Sequence, residues 1–479
     1  MNNQLSSCLL RCNNLYLPGS EHCAPSPPCW TWAGAKLRPF FYTFYIGFSL
    51  NTLKGKHITD IAPSNKEERA MSILVMKFGG TSVADLERIA NASVKVQREV
   101  ANGHKVIVVV SAMSGKTNEL VGWVRETSKF YDGREYDAVV ASGEIVTSGL
   151  MALRLQEMGV DARSWQGWQI PINTTSAHGS ARIKDIGTEH ILAKFDEGID
   201  VAVVAGFQGI SDEGRVTTLG RGGSDTTAVA LAAAFKAERC DIYTDVDGVY
   251  TTDPRITKKA TKLHKIAHEE MLELASAGAK VLQTRSVELA MRYSVPLQVR
   301  TSFSDEPGTL VCSEEEIMEL NVVSGVAFSR DEAKVTLTGV KDTPGIAAAI
   351  FGPLADAGVN VDMIVQDVST EGVTAMTFSC PEDQLDLAIK TLDDAKKADR
   401  VSYDSLRSET NIAKVSIVGI GMRSHTGVAK QMFEALANEG VNIKVISTSE
   451  IKVSVLVDQK YLELAVQSLH DSFELEKLS

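Results

Sequence analysis

The sequence predicts an α/β domain with a mostly parallel sheet, followed by two copies of a small α+β module. Three observations carry this. From Met71 onward, β-branched runs alternate with amphipathic helical stretches, the order expected of strands joined by crossover helices. Gly and Ser cluster where those runs end, at Gly79-Gly80-Thr81-Ser82, at Ser111-Ala112-Met113-Ser114-Gly115 and at Gly220-Arg221-Gly222-Gly223-Ser224, and open parallel sheets place ligand-binding loops at such ends. Beyond about residue 310 an internal repeat begins. Val335-Thr336-Leu337-Thr338-Gly339 lies over Val415-Ser416-Ile417-Val418-Gly419, and Gly345, Gly358, Val359 and Asn360 lie over Gly427, Gly440, Val441 and Asn442.

In order, Ile73 to Lys77 reads as the first strand, Asp85 to Asn102 as an amphipathic helix and Val106 to Ser111 as the second strand. Val201 to Ala205 and Asp241 to Thr244 read as later strands, with an Ala-rich helix over 228–237 between them. Each repeat copy reads strand, glycine-containing turn, helix, glycine, strand, the front half of a small α+β sandwich. The division expected is an extension over residues 1–70, a main domain over 71–310, a linker over 311–330, and modules over 331–400 and 411–479.

At 479 residues the chain is too long for one core. It is 44% hydrophobic and 23% charged, and no run approaches the roughly 18 apolar residues that a membrane span needs. The net charge is -12, and residues 1–70 carry a basic excess, so the body is more acidic still. An acidic surface disfavours nucleic acid as a partner. Cys8, Cys12, Cys23 and Cys29 crowd the start, leaving Cys240, Cys312 and Cys380 in the body. The body therefore has no disulfide framework, which suits a reducing cytoplasm.

The first seventy residues mix Pro, Ser, Asn and aromatics without steady periodicity. The apolar stretch Phe40 to Leu50 lies too deep for a signal peptide. The four early cysteines lack paired CxxC spacing, so zinc is not expected. Met71 stands directly before the first strand and reads as the natural start, with the upstream segment a start-site artefact or disordered leader.

Lys77-Phe78-Gly79-Gly80-Thr81-Ser82 puts a cation at a strand's end, glycines where backbone can approach a ligand, and hydroxyls able to cap the next helix. Phosphate fits there, though an ordinary turn with a helix cap fits the hexamer as well. Leu219 to Asp225 is more distinctive: three glycines, Arg221, Ser224 and Asp225 precede the Ala-rich helix. Arg offers a carboxylate bidentate geometry that Lys does not, while Asp225 also suits a helix cap. Thr244 to Arg255 resembles a calcium loop only superficially, since Pro254 stands where its last carboxylate is needed. Ser114-Gly115-Lys116-Thr117 lacks the upstream glycine of a P-loop, Val110 standing there.

Lys77 to Ser82, Leu219 to Asp225 and Thr244 to Arg255, in this order and followed by the duplicated module, resemble the signatures of the aspartate kinase family over about residues 72 to 479. The resemblance implies the amino-acid-kinase fold followed by two ACT-type, ferredoxin-like modules. It implies transfer of phosphate from ATP, with Mg2+, to the side-chain carboxylate of L-aspartate, the first step toward lysine, threonine and methionine. Lys77 and Asp225 are then catalytic. Ser111, Thr117, Glu144, Arg221, Gly222, Gly223 and Ser224 line the aspartate pocket. Lys77, Phe78, Gly79, Gly80, Thr244, Asp245, Tyr250, Arg255 and Lys280 meet the nucleotide, and no side-chain metal ligand is expected.

The same resemblance places an amino-acid effector, lysine or threonine or both, near Asp342, Pro344, Gly345, Ala347, Asn360, Asp362 and Gln366, with Asn442 joining from the second module. A helix start after Gly345 offers donors to an effector carboxylate. Thr426 stands where many relatives have proline, opposite Pro344, which puts the second module's effector strength in doubt. A homo-oligomer is expected, with a short regulatory chain from an internal start as a further option, in the cytoplasm and without nucleic acid or membrane partners. Two other readings compete: a kinase of the same fold with another acceptor, such as acetylglutamate kinase, and an amino-acid-sensing protein without catalysis.

Overall fold

The computed structural model describes residues 71–479, apart from 280, 318–320, 369–371 and 479. The expectations for residues 1–70 and for Lys280 therefore lie outside the described residues.

The main domain is built on an eight-stranded sheet. Its strands run, edge to edge, Lys265–Ala267, Thr309–Cys312, Leu297–Thr301, Cys240–Thr244, Ile73–Phe78, Lys105–Val110, Val201–Ala205 and Ala162–Trp165. Every neighbouring pair is parallel except Leu297–Thr301 with Thr309–Cys312. Strands Ile73–Phe78 and Val201–Ala205 are buried at every position, as expected of central strands covered on both faces. On one face Leu74, Met76 and Phe78 pack with Ile89 and Val96 of helix Leu86–Ala101 and Met151 and Leu155 of helix Ser142–Glu157. On the other, Ile73 and Val75 pack with Val229, Leu231 and Ala232 of helix Gly223–Ala234. That helix is apolar almost all round because it is buried almost all round. A smaller sheet of Ile183–Ile186, Ile172–Thr174, Gln208–Ser211 and Val216–Thr218 flanks this body.

The C-terminal modules share one six-stranded antiparallel sheet, in the order Asp362–Val368, Val373–Pro381, Gly325–Lys341, Ser405–Val418, Lys452–Asp458, Val445–Thr448. Two long strands are shared. Residues 334–338 pair with 405–409 within the first module, whereas residues 325–329 pair with 414–418 and complete the second. The first module is thus inserted into the second. Gly345 and Gly427, matched by the repeat, both adopt positive φ, 94° and 95°, at the starts of helices Ile346–Asp356 and Val428–Asn438, a conformation costly for any residue with a Cβ.

The structure differs from the expected linker over 311–330. Thr309–Cys312 carries the main sheet past residue 310, and Gly325–Lys341 begins before residue 331. A repeat search marks where two copies begin to resemble each other. It does not show that a strand preceding the first copy finishes the second.

Between the modules Lys414 is buried and lies 3.1 Å from buried Glu332 and 2.8 Å from Asp362. Removing one partner of a buried pair leaves an uncompensated charge at about 3 kcal/mol. Lys414→Ala is expected to lower the unfolding free energy of the C-terminal modules, measured in urea, by about that amount, whereas Lys430→Ala, whose ion pair with Glu434 is exposed, changes it little.

Candidate active site

Four neighbouring parallel strands open at their carboxyl ends onto the same region, and their exit loops are tied at the roots. Gly79 N–H donates to Tyr243 O at 3.0 Å, Ser111 N–H to Phe78 O at 3.1 Å and Gly206 N–H to Val110 O at 3.0 Å. Strand order reverses direction at Ile73–Phe78, with Lys105–Val110 on one side and Cys240–Thr244 on the other, the kind of crevice where α/β sheets bind ligands.

Lys77 belongs to the fully buried first strand. Its Nζ lies 2.5 Å from Asp225 Oδ1, approached outside hydrogen-bond geometry. Asp225 is in the first turn of helix Gly223–Ala234, and Gly222, not Asp225, is the capping residue. The carboxylate is therefore directed at Lys77 instead of its own helix end. Ser224 is buried beside it and packs against Gly206. Gly223 lies so close to Phe207 that a Cβ would meet its ring at 2.7 Å. Arg221, on the turn just before, is exposed.

Glu144 occupies the first turn of helix Ser142–Glu157 and is buried. Its Oε1 accepts the Ala112 N–H at 3.0 Å, while Oε2 is buried with no partner among the described residues. Burial pushes its carboxyl up to about 7. A buried carboxylate oxygen left open is costly unless a donor arrives, and a ligand ammonium has that chemistry. Ser111, next to Ala112, and Thr117, in the first turn of helix Lys116–Thr127, are both partly buried.

Phe78 stacks on Tyr243, ring centroids 4.7 Å apart. Thr244 donates to Asp245 at 3.0 Å, and Asp245 is exposed. Tyr250 instead donates to Asp247 at 3.0 Å, and Arg255, its side chain 89% exposed, pairs with Asp253 at 2.7 Å. Among the described residues, the structure brings Lys77, Gly79, Gly80, Ser111, Glu144, Ser224 and Asp225 around one sheet end, while Tyr250 and Arg255 make only local pairs.

Several residues escaped the sequence reading. Buried Asp137 accepts from Thr218 Oγ1 at 2.5 Å and Gly179 N–H at 3.0 Å and pairs with His178 Nδ1 at 2.7 Å, locking loop 176–180 beside the Gly220–Arg221 turn. Its signal was a carboxylate on the buried face of helix Gly133–Val140. Arg285 donates to Leu219 O and Ala181 O at 2.9 and 3.0 Å, and nothing local in sequence marks partners so distant. Phe207 holds a positive φ of 69° without being glycine, strain that clusters at functional sites.

In the C-terminal modules, Asp342, Pro344, Gly345 and Ala347 are exposed at the start of helix Ile346–Asp356, and Gln366 and Asn442 are exposed elsewhere. Asn360 N–H donates to Gln384 Oε1 at 2.8 Å. Asp362 is engaged by Lys414, which leaves Asp342 as the less committed carboxylate.

The fold and site define a class: residues 72–301 match the amino acid kinase family model, and residues 334–396 and 415–473 each match an ACT domain. The chain is 54% identical over 407 residues to the aspartate kinase of Stutzerimonas stutzeri, covering 85% of this chain and 98% of that one. It is 48% identical to aspartokinase 2 of Bacillus subtilis, covering 85% and 99%. Among solved structures, Escherichia coli aspartokinase III in complex with aspartate and ADP is 28% identical with a TM-score of 0.70, covering 84% of this chain and 99% of that one. The chain belongs to the aspartate kinase family and is an enzyme, an ATP-using kinase with ACT regulatory domains.

Because burial pushes the Glu144 carboxyl from an ordinary 4.5 up to about 7 in the folded state, its ionised form opposes folding. Stability from this group is fully present below pH 4.5 and is lost as pH rises through about 7. Glu144→Gln should flatten that part of the stability profile of ligand-free protein, measured by urea unfolding between pH 5 and pH 8.

Proposed function

We propose that the chain transfers the γ-phosphate of ATP to the side-chain carboxylate of L-aspartate, giving 4-phospho-L-aspartate, and that lysine, threonine or both inhibit it through the ACT modules. The observation that carries this reading is the buried Lys77–Asp225 pair beside the Gly79-Gly80 turn, with the open Oε2 of Glu144 in the same region. The E. coli relative solved with aspartate and ADP supports the substrate pair. Another structure of that protein, with lysine and aspartate in a T-state, supports an amino-acid effector.

Glu144 Oε2 would accept the substrate ammonium and Arg221 would clamp the α-carboxylate bidentately, with Ser111, Thr117, Gly222, Gly223 and Ser224 closing the pocket. The attacking side-chain carboxylate is already ionised near neutral pH and needs no general base. Positioning and charge stabilisation therefore dominate. Lys77 neutralises charge building on the transferred phosphoryl group, Asp225 holds Lys77 in place, and backbone N–H groups around Gly79 and Gly80 approach the phosphates. Thr244, Asp245, Tyr250, Arg255 and Lys280 form the nucleotide side. Magnesium would be held by the ATP phosphates and water and would add positive charge there; Asp225 is already committed to Lys77.

This reading places the enzyme at the head of the route to lysine, threonine and methionine, in the cytoplasm, where the buried thiols of Cys240, Cys312 and Cys380 stay unpaired. It also takes the enzyme as a homo-oligomer, with a regulatory chain from an internal start as an option.

The test is coupled ADP release with Mg-ATP and L-aspartate, with and without lysine and threonine. Aspartate-dependent turnover is expected, with Lys77→Met and Asp225→Ala each losing about 10²-fold or more in kcat. Well-folded protein without aspartate-dependent turnover would overturn the assignment.

A further inference from the structure

Strand Gly325–Ser329 has two sets of neighbours. On one side it is the last strand of the second ACT module, paired with Lys414–Val418. On the other it meets two segments of the kinase domain. Val326 N–H donates to Thr251 O at 2.7 Å, one residue beyond Tyr250. Phe328 O lies 2.1 Å from where a Cβ would stand on Gly278, a residue held at a φ of 122°, two before Lys280 in the chain. A carbonyl that close excludes every residue but glycine at 278. The strand thus carries both segments to which the reading above assigns the nucleotide.

One carboxylate joins this arrangement at its other end. Glu270, on helix His268–Ala277, is buried. Its Oε1 accepts from Ser324 Oγ at 2.6 Å and from Ile420 N–H at 2.9 Å, and its Oε2 accepts from Ala267 N–H at 3.3 Å. The donors come from the residue before the strand, from the second module, and from the start of the helix that ends at Gly278. All three donors are neutral, and together they occupy both oxygens of a carboxyl that burial would otherwise leave unsatisfied at a cost. The helix is therefore fixed at its beginning by Glu270 and at its end by Gly278 against Phe328, both times to the frame of the second module.

We propose that Glu270 is a positioning residue for the nucleotide side of the active site, tying helix His268–Ala277 and strand Gly325–Ser329 to the second ACT module so that ATP affinity depends on how that module is docked. The aspartate side, built on Glu144, Ser224 and the Lys77–Asp225 pair, makes no hydrogen bond or ion pair with Glu270, Ser324 or Ile420 among the described residues. The two substrates are thereby separated in their dependence on this joint. The inference rests on the assignment of the nucleotide to Thr244–Tyr250 and Lys280.

The experiment measures KM for ATP, KM for aspartate and kcat in the full chain, for Glu270→Gln and for the milder Ser324→Ala, with ADP affinity by calorimetry and thermal unfolding of each variant. Coupling through such a joint is typically worth about fivefold. The expected result is a rise of about that size in KM for ATP and in the ADP dissociation constant, with KM for aspartate changed less than about twofold, and a smaller shift of the same kind in Ser324→Ala. Equal movement of both KM values, or a lower unfolding temperature with neither KM moved, would show a purely structural role and overturn the proposal. Ser324→Ala keeps the test decisive should Glu270→Gln fail to fold. Wild-type protein that turns over aspartate but binds no ADP at the Thr244–Tyr250 side, shown by an unchanged ADP constant in Tyr250→Ala, would instead count against the underlying nucleotide assignment.

Discussion

A lysine in a strand buried at every position cannot remain uncompensated. Lys77 is such a residue, and an isolated ammonium in that setting would destabilise the sheet by several kcal/mol. Asp225 resolves the conflict from 2.5 Å. For that carboxylate to arrive, helix Gly223–Ala234 has to begin over the carboxyl end of the sheet and lie flat on its face, which accounts for its nearly continuous burial and its small residues. Glycines at its start and on the neighbouring strand exit then follow from the close approach. The same pair that makes the fold tolerable keeps Lys77 at the sheet end where the proposed phosphoryl transfer would need a cation.

The regulatory half answers a different constraint. An ACT module placed after a kinase domain on a simple tether would have little leverage on it. Here the second module is finished by a strand that precedes the first, and Ala327 and Val418 from its sheet belong to the same apolar core as Leu274 and Val287 of the kinase domain. His470 of the last helix reaches Thr251 Oγ1 at 2.9 Å. The second module is consequently packed into the kinase domain's core, while the first carries the exposed turn around Gly345. A ligand that changes the first module acts on strands continuous with the second, and such a shift matters only insofar as two arrangements bind the ligand differently.

Much of this was legible in the chain. Alternating β-branched and helical runs, glycine clusters at strand ends and the repeat from Val335 to Asn442 determine an α/β domain followed by paired modules, because backbone periodicity and positive-φ turns are local requirements that individual residues must meet. Lys77 and Asp225 stood out by type and position in their glycine-rich segments, whereas Glu144 entered only through the family resemblance. What tertiary structure alone decided is which distant groups meet: Asp137 with Thr218, Arg285 with Leu219, Glu270 with Ser324 and Ile420, and the insertion of one module into the other. Those contacts join segments far apart in sequence through hydrogen bonds with no periodicity of their own, so their signal appears only once burial makes each unpaired carboxylate or carbonyl costly and the fold supplies its partner.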